Sequence, residues 1–169
     1  MLSDTRLPDM RPEDAAGPGV EHVLHYFDGT GRTVYVTDIE TPFPDGKLIV
    51  SRTDTAGIIT FMNQAFVDMS GWSAEELMGA PHSILRHPDL PRAAFADLWS
   101  TVQAGAKWRG YVKNLRKDGG YYWVYATVIP NIRNGEIVSY TSVRRKPSRK
   151  RVNECTELYR TMLAEEVAS

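Results

Sequence analysis

A single cysteine, Cys155, stands among 169 residues, so an intrachain disulfide and a cysteine-rich metal site are both excluded, and a reducing, cytoplasmic setting is expected. No run approaches the roughly 20 apolar residues that a membrane-spanning helix requires, and the first residues show neither the basic start nor the apolar stretch of a leader. Net charge is almost absent. Twenty basic residues against 21 acidic ones leave −1, which gives no global reason to expect nucleic acid or an anionic membrane as the main partner. No glycine-rich dinucleotide fingerprint follows a strand. No nucleophile, base and orienting group stand at a recognisable catalytic spacing, so a non-enzymatic role is expected. Repeats and low-complexity segments are also missing.

The length suits one domain of about 100 to 130 residues with flanks. We divide the chain into an N-terminal tail and cap (1–46), a central domain (47–146) and a basic linker with a C-terminal helix (147–169). The first 20 or so residues mix Pro8, Pro12, Gly17, Pro18 and Gly19 with acidic groups and read as a poorly ordered tail. Thr33 to Thr37 reads as a short strand within the cap. Residues before Lys47 are mostly acidic, whereas Arg144, Arg145, Lys146, Arg149, Lys150 and Arg151 crowd together and read as a solvated linker.

Lys47 to Thr53 and Ile58 to Met62 are β-rich runs joined by Asp54-Thr55-Ala56-Gly57, a hairpin. Asn63 opens a short helix that Gly71 ends, and Ser73-Ala74-Glu75-Glu76 is a capping box for another. Phe95, Leu98, Trp99 and Val102 recur at helical spacing until Gly105. Three strands follow, Trp108 to Leu115, Tyr121 to Pro130 and Ile137 to Arg145, and a helix is expected from Arg149 to Val167. The order describes an α+β domain: a five-stranded antiparallel sheet with short helices and a connector helix on one face.

Two polar, aromatic-flanked segments exceed what core packing requires: Arg86-His87-Pro88-Asp89-Leu90-Pro91 and Trp108 to Asn114. Strand alternation sets Trp108, Gly110, Val112 and Asn114 on one face, and Gly110 leaves a gap in which a flat group could lie. Arg86 is a partner for a pyrophosphate or for an exposed carboxylate. His87 is a donor to a phosphate or ring edge, and His82 a donor there or to a loop backbone group. Asp89 and Asn63 each read as a helix cap or as a ligand contact. Trp108 reads as a ring neighbour or a core residue, while Trp72 and Trp99 are assigned to packing. A buried Asn114 amide needs partners and offers both donor and acceptor. Tyr121, Trp123 and Tyr125 alternate with Tyr122, Val124 and Ala126, so the sheet's outer face is expected to meet the cap or a second copy, as in a homodimer.

That element order, with Asn63-Gln64-Ala65-Phe66, Ser70-Gly71-Trp72, Glu76-Leu77-Met78-Gly79 and Gly119-Gly120-Tyr121-Tyr122-Trp123, resembles a PAS sensor domain. Pro81 through Pro91, Ala94 through Trp99 and Trp108 through Asn114 resemble the PAS domain of bacterial aerotaxis receptors. The resemblance covers about Leu48 to Lys146. It implies a noncovalently bound FAD whose redox state reports oxygen or respiratory status to a signalling partner. It also implies FAD-binding roles for Asn63, Arg86, His87, Asp89, Trp108 and Asn114, with His82 near the pocket. Receptors of this kind continue into membrane, HAMP and signalling segments; this sequence shows none, so a fragment or a free-standing sensor is expected. Two alternatives remain open: a haem-binding PAS oxygen sensor using His82 or His87, and a cofactor-free PAS interaction domain. A flavin-cysteinyl photosensor is disfavoured, because no cysteine lies between Asn63 and Gln103.

Overall fold

The computed structural model describes residues 7–26 and 28–168. Its centre is a five-stranded antiparallel sheet in the order β4-β3-β7-β6-β5, built from β3 (Ile49–Thr53), β4 (Ile59–Met62), β5 (Trp108–Leu115), β6 (Tyr121–Arg133) and β7 (Glu136–Arg145). Trp108 pairs with Val128 and Asn114 with Tyr122, which sets Trp108, Val112 and Asn114 on the inner face with Tyr122, Val124 and Ala126. That face packs against α1 (Gln64–Ser70), α2 (Ala74–Leu77), a 3-10 turn (His82–Leu85) and α3 (Arg92–Gln103). The caps expected from sequence are in place. Asn63 Oδ1 accepts from Phe66 N, Ser73 and Glu76 close a capping box, and Gly71 ends α1 at φ 77°.

The first segment differs from the expected tail. Leu7 and Met10 are buried, Met10 N donates to Thr33 O, and Asp9 Oδ1 accepts from Thr33 N. Two apolar anchors in a polar stretch are enough to lay residues 7–10 along the cap, whereas residues 1–6 lie outside the described part. The cap itself is a hairpin of two strands, β1 (Val20–His25) and β2 (Gly31–Val36). β1 is hidden in the sequence because Val20, Val23 and Leu24 do not alternate with period two; only Leu24 is buried. The chain after the hairpin binds the start of β6, through Thr37 N to Gly119 O and a reciprocal pair between Tyr121 and the Ile39–Thr41 stretch. A Cβ on Gly119 would stand 2.4 Å from Tyr35 O, so this junction admits no side chain.

α4 (Arg149–Ala168) folds back over the outer face. Tyr159 stacks on Trp123 with ring centroids 6.2 Å apart, and its hydroxyl donates to Tyr111 O at 2.7 Å. Trp123 of the aromatic stripe on the outer face is thus covered by the chain's own helix. The basic segment is likewise not a free linker. Lys146 pairs with Asp45 and Arg149 with Glu40, so two of its basic side chains are held to acidic groups of the cap. Arg144 is the larger departure: it is 2% exposed and points from β7 into the inner side of the sheet. Among the described residues, no helix is long and apolar enough to cross a membrane.

Candidate functional site

Between the inner face of the sheet, the 3-10 turn and α3 lies a cavity of about 800 Å³. Its walls come from Ser51 and Thr53 of β3, Val112 and Asn114 of β5, Ala126 and Val128 of β6, Tyr140, Ser142 and Arg144 of β7, and Phe95, Leu98 and Trp99 of α3. The lining is mostly apolar with a few convergent polar groups, the usual character of a small-molecule site. Trp99 stands edge-on to Tyr140, centroids 5.6 Å apart. It therefore lines the cavity rather than serving only as packing.

The strongest polar feature is Arg144. Its Nη2 donates to Ser51 Oγ, its Nη1 lies 3.3 Å from His82 Nε2, and its guanidinium covers the Phe66 ring at 4.6 Å. Among the described residues no carboxylate pairs with it, and its Nε has no hydrogen-bond partner. Burial pulls its pKa down to about 10, still charged at neutral pH. A desolvated cation without a counter-ion is costly, and a cavity wall is where a ligand can offset that cost. Burial, followed by the charge of Arg144, pushes the His82 imidazole down to about 3. Neutral His82 accepts at Nε2, so its ring proton sits on Nδ1. The Tyr122 hydroxyl, opposite Asn114, is fully buried, and burial pushes it up to about 12 against the opposing influences of Arg144 and the Asn114 side chain.

Of the residues expected in the site, His82, Arg86 and Asn114 line the cavity. Asn114 is buried, and its backbone bridges to Arg86. Arg86 Nη1 donates to His25 O at 2.9 Å, with its guanidinium 5.7 Å from the Tyr26 ring and 5.2 Å from the Phe95 ring.

The other four stand behind the wall. His87 is buried, accepts at Nδ1 from Asp89 N, and has its pKa well lowered by burial and then by Lys113. Asp89 pairs with Lys113 Nζ at 2.7 Å; burial is the largest influence and raises its pKa, but the Lys113 bond and the charges of His87, Lys113 and His22 together outweigh it, and the carboxyl ends below its ordinary value. Asn63 accepts from Val50 N, donates to Leu48 O and caps α1, pinning the helix start to β3. Trp108 donates from Nε1 to Asp97 Oδ2 at 2.8 Å, strapping β5 to α3. The space over Gly110 is filled by the Trp108 ring itself: a Cβ there would lie 2.4 Å from Trp108 Cη2.

Sequence reasoning passed over Arg144 and Trp99. For Arg144 the available signal was its place in β7 in register with Ala126 and Ile49 on neighbouring strands, which the surrounding run of basic residues masked. For Trp99 it was the helical stripe of α3, read as packing alone.

Residues 59–144 match the family model for the PAS fold. The chain belongs to the PAS-fold family. It is 43% identical over 130 residues to the aerotaxis receptor of Escherichia coli (strain K12), an overlap of 77% of this chain and 26% of that receptor. The chain thus spans about a quarter of that relative's length. A PAS domain from Colwellia psychrerythraea superimposes with a TM-score of 0.54 at 26% identity, covering 59% of this chain and 86% of that one. A light-oxygen-voltage domain studied with a flavin analogue superimposes with a TM-score of 0.54 at 20% identity, covering 72% of this chain and 86% of that one, a likeness of fold.

Proposed function

We propose that this PAS domain is a cytoplasmic flavin-binding sensor, with FAD as its cofactor, that passes flavin redox state to a signalling partner as in aerotaxis. The observation that carries the reading is one apolar cavity holding two guanidinium groups, Arg144 deep and Arg86 beside the cap. They match a ligand with an electron-rich flat ring at one end and an anionic pyrophosphate further along. The flavin analogue in the related fold and the identity to an aerotaxis receptor support the same choice. Haem is less well supported, since His82 Nε2 faces a guanidinium and His87 does not line the cavity.

Arg144, His82 and Asn114 would hold the ring, and Arg86 the phosphates, with His87, Asp89, Asn63 and Trp108 fixing the walls. A bound flavin supplies a reversible redox couple whose N5 edge accepts a hydrogen bond when oxidised and donates one when reduced. The Asn114 amide offers a donor or an acceptor by turning over. Its backbone bridge to Arg86, which bonds His25 O, gives that turn a route to the cap, a two-state element of the kind signalling needs.

Extracting the cofactor from purified protein and identifying it by chromatography tests the reading. FAD is expected; a Soret band or a colourless protein that takes up no flavin would overturn it. Asn114→Ala should keep FAD yet lose most of the redox-dependent change in protease sensitivity, and a full change in that variant would remove Asn114 from the pathway.

A further inference from the structure

The cavity is not closed by the five-stranded domain alone. Leu7, Tyr26, Asp28, Thr30 and Gly31, all from the N-terminal cap, form one of its walls. The β1–β2 turn is tightly made: Tyr26 N donates to Thr30 O, Gly29 N donates to Tyr26 O, and Asp28 Oδ1 accepts from both N and Oγ1 of Thr30. It is held against the domain on one face by polar and apolar contacts together. Arg86 donates to His25 O, the buried Arg32 donates from Nη1 to Ile84 O and lies over the Trp72 ring, Leu24 and Val34 are buried with Met10 and Leu115, and the Tyr26 ring packs against the inner-face core. On its far side Val20 and Val23 are 63% and 52% exposed, so none of the described residues covers the hairpin there. A lone two-stranded hairpin is marginally stable in water; this one keeps its shape through docking.

We propose that the cap hairpin is a ligand-holding wall of the site: Tyr26 and the turn residues Asp28 to Gly31 contact the bound flavin, which leaves only when the hairpin undocks from Arg86. The proposal rests on the flavin reading above. Docking and occupancy are then linked. A ligand that touches the hairpin stabilises the docked state by the difference between its affinities for the docked and undocked forms, and a loosened hairpin weakens retention to the same extent. Arg86 is the hinge of this linkage, since it lines the cavity and also bonds the hairpin's carbonyl.

The test uses the full chain loaded with FAD. Release is followed by the fluorescence gained on dilution into a flavin-scavenging apoprotein, and amide hydrogen exchange is followed in β1 and β2. Tyr26→Ala, and Thr30→Val at an exposed position, are each expected to speed release, the former by about tenfold or more, equivalent to roughly 1.4 kcal/mol. In the unmodified chain, FAD is expected to slow exchange throughout both strands, a result that needs no variant. Unchanged release in both variants, with exchange in the hairpin indifferent to FAD, would overturn the proposal. Failure of the unmodified chain to take up FAD would instead remove the flavin reading, and this inference with it.

Discussion

Arg144 and Asn63 show how one residue type can be read two ways until its neighbours are known. Arg144 is a desolvated cation beside His82 and Ser51, and a charged hydrogen bond of that kind is worth about 1.5 to 3 kcal/mol. On the proposed function, Arg144→Met is therefore expected to lower the two-electron midpoint potential of a bound flavin by about 30 to 60 mV, read by redox titration. An unchanged potential would place the ring away from the guanidinium. Asn63 makes three bonds within the scaffold and does not line the cavity. Asn63→Ala should cost about 2 kcal/mol of stability equally with and without flavin, measured by urea unfolding. A loss confined to the loaded protein would make Asn63 a ligand contact.

At the scale of elements, α4 decides what the sheet's outer face can do. Its Tyr159 lies on Trp123 and bonds β5, and Val152 is 2% exposed. The homodimer expected from the sequence through the outer face would require this helix to leave. Tyr159→Ala is expected to shift the chain from monomer toward dimer in light scattering at micromolar concentration. A monomer in both forms would assign the dimer surface elsewhere. The element order was legible in the sequence because caps, turns and alternation are local: Asn63, Ser73 and Gly71 act within a few residues of themselves. The β1 strand was not, because Val20 and Val23 are exposed and only Leu24 is buried, so apolar character does not follow the period of the strand.

For the whole molecule, the two buried imidazoles set an acid limit. The unfolded chain takes up protons on His82 and His87 near pH 6.5, whereas burial keeps both neutral in the fold to well below that. The unfolded state then binds more protons, so stability is level above about pH 7 and falls as pH drops from 6.5 toward 3. Asp89 and Glu76, whose pKa values are lowered in the fold, add their losses only below about pH 4. Thermal melting between pH 8 and 5 checks this: a midpoint that stays level to pH 5 would mean that the imidazoles charge without unfolding.

The sequence by itself determined the fold class, the strand alternation that turns Asn114 inward, and the candidate segment around Arg86, since each is written in local periodicity and residue chemistry. Only the tertiary structure decided that Arg144 is buried, that the Trp108 ring fills the space over Gly110, and that the cap closes the cavity. The physical reason is distance along the chain. Arg144 meets Ser51 across 93 positions and Arg86 meets His25 across 61, and no local pattern records which remote segment will take a charge out of water.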